Sequence, residues 1–367
     1  MNILFITNHL NIGGISSYVL TLGKGLKPKN HNVYIASSGG ELLPIFKEEG
    51  FIYIPIPIKT KKEISPKILV SMFKLSAAID RFDIGLIHSH SRTTQVLGCL
   101  LGKLKGIPHV YTCHGFFKRR FLRRVFPCWG KKVIAISEPV KEHLMQDFDV
   151  NEKDIRVIYN GIDVARFKVR DGETRNSIKN NLGLGDGPVV GIVARLSDVK
   201  GHIYLVEAMK DVLERMPRAQ LAIVGEGTMK EELVRLVTNL GIEKNVFFIP
   251  QVLDTTDVLS AMDLFVMPSL KEGLGLALME AMAAGLAVIG SDVGGIRILI
   301  QDGSTGLLVK PKDAAALSRA ILALLSDEEK RKYLGKNARD FIIENFSQEK
   351  MVGQTERLYL ECLSEKD

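Results

Sequence analysis

Short apolar runs alternate with amphipathic stretches from the first residues onward. "NILFIT" reads as a buried strand, and "SSYVLTLGKGL" after it carries helical spacing. "HNVYIASS" is a second strand, "LLPIFKEEG" a helix, and "FIYIPIPI" an extended segment restrained by Pro55 and Pro57. The alternation continues through "SPKILVSMFKLSAAIDRF", "DIGLIHSH", "TTQVLGCLLGKLKG" and "PHVYTCHG". It closes with "KKVIAIS", a helix from Glu138, and "DIRVIYNGID". Strands that are apolar on both faces and separated by helices predict a parallel sheet covered on both sides.

A polar, glycine-bearing stretch, "KVRDGETRNSIKNNLGLGDGP", interrupts the pattern and reads as a linker. Alternation then restarts with "VVGIVAR", "HIYLVEAMKDVLERMP", "AQLAIVGEG", "KEELVRLVTNLG", "NVFFIPQ", "DVLSAMD" and "LFVMPS". "EGLGLALMEAMAAG" and "LAVIGSD" follow. The expected architecture is α/β, two tandem Rossmann-like doubly wound domains facing a cleft. The first covers 1–168, a linker 169–187 and the second 188–346, with a C-terminal helix over 347–367 packing back on the first. Ligands of such sheets sit beyond the carboxyl ends of the strands, so function is expected in those loops.

A length of 367 residues suits two domains of ordinary size. With 46% hydrophobic and 25% charged residues the chain has the balance of a soluble globular enzyme. A net charge of +7 and a pI near 9.1 favour an anionic partner: a phosphorylated small molecule, nucleic acid or an acidic membrane surface. Cys99, Cys113, Cys128 and Cys362 show no close pairing along the chain and no metal-ligand spacing, so reduced thiols are expected. "MNILFITNHLNIGG" has neither a basic leader nor a cleavage site, and no apolar run is long enough to span a bilayer. The expected location is the cytoplasm, with at most peripheral contact with the plasma membrane.

The chemistry gathers at predicted strand ends of the second half. "VVGIVARLSDVKG" releases Arg195 and Lys200 there, a planar fork and a point charge suited to a diphosphate. Two solvated surface cations would look the same. After "LFVMPS", the loop "LKEGLG" lets backbone approach a ligand closely, and "LALMEAMAAG" is a helix stopped by Gly285. The helix start is an anion site. Glu272 before it can reach a hydroxylated group beside that anion, and Glu280 within it can accept from a ribose diol. The alternatives are a helix cap for Glu272 and a core-edge acid for Glu280.

Glu272 and Glu280 form an E-x7-E pair inside "EGLGLALMEAMAAGLAVIGSDVGG", followed by "DGSTGLLV". With "VARLSDVKG", "VGEG" and "NGID", the sequence resembles family 4 retaining glycosyltransferases of the GT-B fold over nearly its whole length. The resemblance implies that Arg195 and Lys200 neutralise the donor diphosphate as it leaves. Glu272 would contact the transferred sugar, with the backbone of Gly273, Leu274, Gly275 and Leu276 beside sugar and phosphate, and Glu280 would bind the ribose. Gly225, Glu226 and Gly227 would lie near the nucleotide, Gly13 and Gly14 would face donor phosphate and acceptor, and His114 of "YTCHG" would touch the sugar. The implied co-substrate is a nucleotide-diphosphate sugar, a UDP-sugar first, with no cofactor. The implied reaction is front-face transfer, in which the leaving phosphate takes the acceptor proton.

The chain departs from that pattern at three places. Leu274 stands where relatives often have Phe, "GGIRI" puts Arg297 and Ile298 where proline and an acid are usual, and Pro250 replaces a common glycine. Asp147-Phe148-Asp149 resembles the D-x-D metal motif of the other large glycosyltransferase fold, but it ends a first-domain helix and reads as a solvated terminus, so no metal is expected.

"HGFFKRRFLRRVFPCWGKKV" places Lys118, Arg119, Arg120, Arg123 and Arg124 among aromatic residues. It reads as a patch for an anionic membrane surface, which suits a glycan or lipid-linked acceptor in cell-envelope synthesis. A nucleic-acid patch or a merely solvated face would share the composition, and no nucleic-acid partner is expected. Competing functions are a GT-B-fold sugar-nucleotide epimerase, a sugar phosphorylase and a noncatalytic nucleotide-sugar-binding protein. A glycosidase would lack the diphosphate clamp. A dinucleotide-dependent dehydrogenase would need G-x-G-x-x-G after the first strand, and "NHLNIGGIS" does not supply it.

Overall fold

A computed structural model describes residues 1–60, 65–118, 126–167 and 172–365. Two compact units emerge: Met1–Gly161 with Gln348–Asp367, and Ile162–Ser347.

The first unit contains β1 (Asn2–Ile6), α1 (Gly14–Leu26), β2 (Asn32–Ser37), α2 (Leu43–Glu48), β3 (Ile52–Pro55), α3 (Pro66–Arg81), β4 (Leu86–Ser89), α4 (Arg92–Lys105) and β5 (His109–Cys113). β6 (Lys132–Ala135), α5 (Glu138–Phe148) and β7 (Ile155–Val157) complete its sheet, in the order β3-β2-β1-β4-β5-β6-β7. Every pairing in it is parallel. Alternate residues of β1 feed opposite faces: Ile3 and Phe5 join one core, Leu4 and Ile6 the other. That is why these strands are apolar without interruption.

The second unit holds α6 (Gly172–Asn181), β8 (Val189–Val193), α7 (His202–Arg215), β9 (Gln220–Val224), α8 (Lys230–Leu240), β10 (Val246–Ile249) and α9 (Thr256–Ser260). It continues with β11 (Leu264–Met267), α10 (Leu276–Ala283), β12 (Ala287–Ser291), α11 (Ile296–Leu299), β13 (Leu307–Val309), α12 (Ala314–Leu325) and α13 (Glu328–Asn345). Its parallel sheet runs β10-β9-β8-β11-β12-β13. The strand order reverses between β8 and β11, as it does between β1 and β4 in the first unit.

Two features differ from the sequence expectation. Residues 172–181 of the stretch read as a linker form α6 within the second unit. Arg175 pairs there with Asp263 at 2.7 Å, and Lys179 Nζ donates to the Gly187 carbonyl at 2.9 Å. A polar helix can be pinned by such bonds without an apolar stripe, so periodicity misses it. β13 lies in "DGSTGLLV", three residues of strand too short to show alternation.

The last helix, α14 (Gln348–Ser364), returns to the first unit. Met351, Val352, Leu358 and Tyr359 share a core with Val19 and Leu22 of α1. A β-carbon at Gly25 would lie 2.4 Å from Val352 Cγ2, so glycine there lets the two helices approach.

Candidate active site

The loops after β8, β9, β11 and β12 are tied together by backbone, at the carboxyl end of the sheet around the point where the strand order reverses. Leu196 N–H donates to the Glu226 carbonyl at 2.9 Å, and Leu270 N–H to the Val199 carbonyl at 2.8 Å. Gly295 N–H donates to the Glu272 carbonyl at 3.0 Å. Side chains would not fit between these loops. A β-carbon on Gly225, whose φ is +142°, would meet the Ala194 carbonyl oxygen at 2.1 Å. One on Gly227 would meet that of Leu196 at 2.1 Å, and one on Gly294 that of Glu272 at 2.3 Å.

Within this cradle Lys200 and Glu272 meet. Lys200 Nζ donates to Glu272 Oε2 at 2.5 Å, and Ser269 Oγ reaches the same oxygen at 3.4 Å. Both charged side chains are largely covered, with 21% and 13% of their surface exposed. α10 starts immediately after, from Gly275 at φ +99°, and no side chain caps it. Its dipole therefore places partial positive charge beside the pair. Leu274 is buried and packs the loop down. Arg195 is exposed and makes no hydrogen bond to a described residue.

Glu280 stands apart from that pair. It accepts from Thr255 Oγ1 at 2.9 Å, on the turn that carries the Asp254–Arg166 ion pair at 3.2 Å. Burial of its carboxyl, partly offset by the Thr255 hydrogen bond, pushes its pKa up to about 7. A carboxyl of intermediate exposure with one neutral partner keeps capacity for further hydrogen bonds. Glu226, in contrast, pairs on the surface with Lys230 at 3.1 Å. Arg297, in place of the usual proline, forms a two-bond pair with Asp292, one bond of which is 3.0 Å.

In the first unit, Gly13 opens α1 at φ +155°, and a β-carbon on Gly13 or Gly14 would face open space. His114 follows β5. Tyr18 of α1 packs edge-on against it at 4.8 Å between centroids, and its Nε2 lies 3.4 Å from His90 Nδ1. Burial lowers the His114 pKa to about 3, so the ring is neutral and acts through hydrogen bonds rather than charge. Tyr18, His90 and His88 were not singled out from sequence. The alternation of His88 and His90 across "HSH" at the end of a strand was the available signal.

Asp147, read as part of a solvated helix end, pairs with His143 Nδ1 at 2.5 Å, and Asp149 caps α5 in a left-handed conformation. Arg119, Arg120, Arg123 and Arg124 lie outside the described residues, and Lys118 is exposed at the margin.

Two parallel doubly wound units with a charged glycine cradle at one switch point define the class of proteins that bind a nucleotide beyond the carboxyl ends of the strands. The sequence families agree. Residues 12–166 match the model described as Glycosyltransferase Family 4, and residues 174–341 match Glycosyl transferases group 1. The chain is 30% identical over 319 residues to UDP-Gal:alpha-D-GlcNAc-diphosphoundecaprenol alpha-1,3-galactosyltransferase of Escherichia coli, covering 82% of this chain and 80% of that protein. It is 28% identical to N-acetyl-alpha-D-glucosaminyl L-malate synthase of Bacillus anthracis, over 98% of this chain and 96% of that one. Anabaena HepE, solved with UDP-glucose, superimposes with a TM-score of 0.88 at 22% identity, covering 98% and 100% of the two chains. The chain belongs to the family 4 glycosyltransferases, and its fold is GT-B.

Proposed function

We propose that the protein transfers a hexose or N-acetylhexosamine, with retention, from a UDP-sugar to a glycan or lipid-linked acceptor of the cell envelope. The observation that carries this reading is the Lys200–Glu272 pair beside the uncapped start of α10. A leaving diphosphate needs positive charge where its own charge develops, and Lys200, Arg195 and the helix start supply it from a fixed frame. Glu272 would then hold a hydroxyl of the transferred sugar and Glu280 the ribose. His114, neutral and partly accessible, would hydrogen-bond the sugar. Two cations and a helix end supply charge enough for transfer without a resident metal. The lipid-linked acceptor is favoured by the activity of the Escherichia coli relative, whose acceptor is a diphosphoundecaprenol sugar.

Thermal shift with UDP-, GDP- and ADP-sugars tests donor choice, because a ligand at 100 times its dissociation constant adds ~2.7 kcal/mol of stability. Product anomeric configuration by NMR, and turnover with EDTA present, test retention and metal independence. Sugar epimerised on its nucleotide would indicate the epimerase, and orthophosphate-dependent release of sugar phosphate the phosphorylase. Binding with no turnover on any acceptor would leave a binding protein.

A further inference from the structure

Helix α3 is apolar on two faces. Ile68, Leu75, Ala78 and Ile79 turn inward and are buried, which is the ordinary face of a sheet-covering helix. On the outside, Leu69, Val70 and Phe73 are 55%, 48% and 72% exposed. Pro66 and Ala77 extend the same outer stripe at helical spacing, and both are exposed. A single exposed apolar residue needs no explanation, but a stripe over three turns does.

The stripe has a cationic border. Lys67, Lys74 and Arg81 recur at seven-residue spacing, which places them in a row along one flank, and all three are exposed. Lys67 Nζ donates to the Lys59 carbonyl at 3.3 Å, so a further lysine residue lies at the same end. None of Lys59, Lys67 and Lys74 pairs with a carboxylate among the described residues. The acid nearest the stripe along the helix, Asp80, is neutralised by Lys105 at 2.6 Å. Apolar side chains flanked by one row of unneutralised cations are the complement of a bilayer surface that is apolar below and anionic at the headgroups. A partner protein would need a carboxylate row in matching register, whereas anionic lipid supplies negative charge at any register.

We propose that the outer face of α3 is a lipid-contact surface, on which Leu69, Val70 and Phe73 enter the interfacial region of an anionic bilayer while Lys67, Lys74 and Arg81 bind its headgroups. This deepens the reading of a membrane-held acceptor, yet it is tested without donor or acceptor, so the two stand or fall separately. It also assigns the contact to residues other than the basic stretch 118–124.

The test is cosedimentation of the full chain with vesicles of phosphatidylglycerol and phosphatidylcholine, against phosphatidylcholine alone, at low and at high salt. Binding to the anionic vesicles alone is expected, falling as salt rises. Each cation near such a surface contributes about fivefold in affinity, so Lys67→Gln, Lys74→Gln and Arg81→Gln together should weaken binding by at least about tenfold. Leu69→Ser with Phe73→Ser should weaken it comparably, with an unchanged melting temperature because both side chains are exposed. Phe73→Trp should add tryptophan fluorescence that brominated anionic lipid quenches, beyond the background from Trp129. If the wild type ignores anionic vesicles, or the α3 variants bind as well as it does, the proposal is wrong. It is equally wrong if binding is lost only on changing Arg119, Arg120, Arg123 and Arg124, or if the stripe proves to be covered by a second copy, seen as a dimer that Phe73→Ser dissociates.

Discussion

Lys200 Nζ lies 2.5 Å from Glu272 Oε2, joining the loop after β8 to the loop after β11 at the point where the strand order reverses. An ion pair this well covered adds little net stability, because the cost of desolvating both charges offsets their attraction. Its placement therefore matters more for chemistry than for stability. Lys200→Met should lower transfer by about 10²-fold, the usual cost of losing one electrostatic contact to a developing charge. The second unit should also melt at a lower temperature, because Lys200→Met leaves the covered Glu272 carboxylate without its partner. Glu272→Gln should lower transfer too, while free nucleoside diphosphate binds at least as tightly, since the amide no longer competes for the Lys200 ammonium. Calorimetry separates the outcomes: unchanged turnover in Lys200→Met removes this residue from the diphosphate.

The strands and most helices could be read from sequence because a parallel sheet imposes continuous apolar runs, and "NILFIT" or "LFVMPS" have few other uses. Arg195, Lys200, Glu272 and Glu280 were legible as strand-end and helix residues whose chemistry did not match a core. Their pairing was not. That Glu272 meets Lys200, and Glu280 meets Thr255, depends on which loops the sheet order makes neighbours. Helix α6 is not legible in the periodicity because polar bonds fix it, and the outer stripe of α3 is not because a doubly apolar helix has the pattern of a buried one.

Gly225 sets a second test, this one through backbone. At φ +142°, with the Ala194 carbonyl 2.1 Å from where a β-carbon would stand, any side chain must push the β9 loop off the β8 loop. Gly225→Ala should cost ~1–3 kcal/mol of stability in the second unit, the usual cost of a strained backbone position. Nucleotide affinity should fall with it, although no side chain that touches ligand has changed. An affinity equal to wild type would show that the spacing of these loops is immaterial to the donor.

Glu280 titrates where enzymes are assayed. Its folded pKa, raised by burial to about 7, lies above the ordinary 4.5, so the folded chain holds this proton more tightly than the unfolded one. The group therefore favours folding most below pH ~4.5 and loses that contribution as pH rises through about 7. A ribose diol donates best to the ionised form. Affinity for a nucleotide sugar, whose phosphates do not titrate in this range, should thus rise between pH 6 and 8. Glu280→Gln should bind more weakly and flatten that profile, and it should gain stability relative to wild type at pH 8 but not at pH 4.5. A wild-type binding curve that is flat over this interval would separate Glu280 from the ribose.

The first unit should respond to pH in the opposite sense. His88, His90 and His109 are buried, and burial lowers the pKa of each, that of His109 to about 3. His88 is held between Tyr359 Oη at 2.5 Å and Thr112 Oγ1 at 2.6 Å, and His109 Nε2 meets Ser89 Oγ at 2.7 Å. Hydroxyl partners can serve a neutral imidazole as donor or acceptor and do nothing to favour its charged form. Unfolding lets these rings protonate at about pH 6.5, so their contribution is present above that value and declines as pH falls below it. Each ring that is neutral when folded and charged when unfolded steepens the loss by up to ~1.4 kcal/mol per pH unit. Calorimetry from pH 7 to pH 5 should therefore show the first unit melting at progressively lower temperature. Tyr359→Phe should weaken that unit further, by ~1–3 kcal/mol, because it leaves His88 Nδ1 buried without its partner. Nucleotide affinity in that variant should stay at the wild-type value, since Glu280, Lys200 and Glu272 all belong to the second unit. If the melting of the first unit is insensitive to pH over this range, these histidines take up protons as readily in the fold as in the unfolded chain, and the reading of them as neutral buried rings fails.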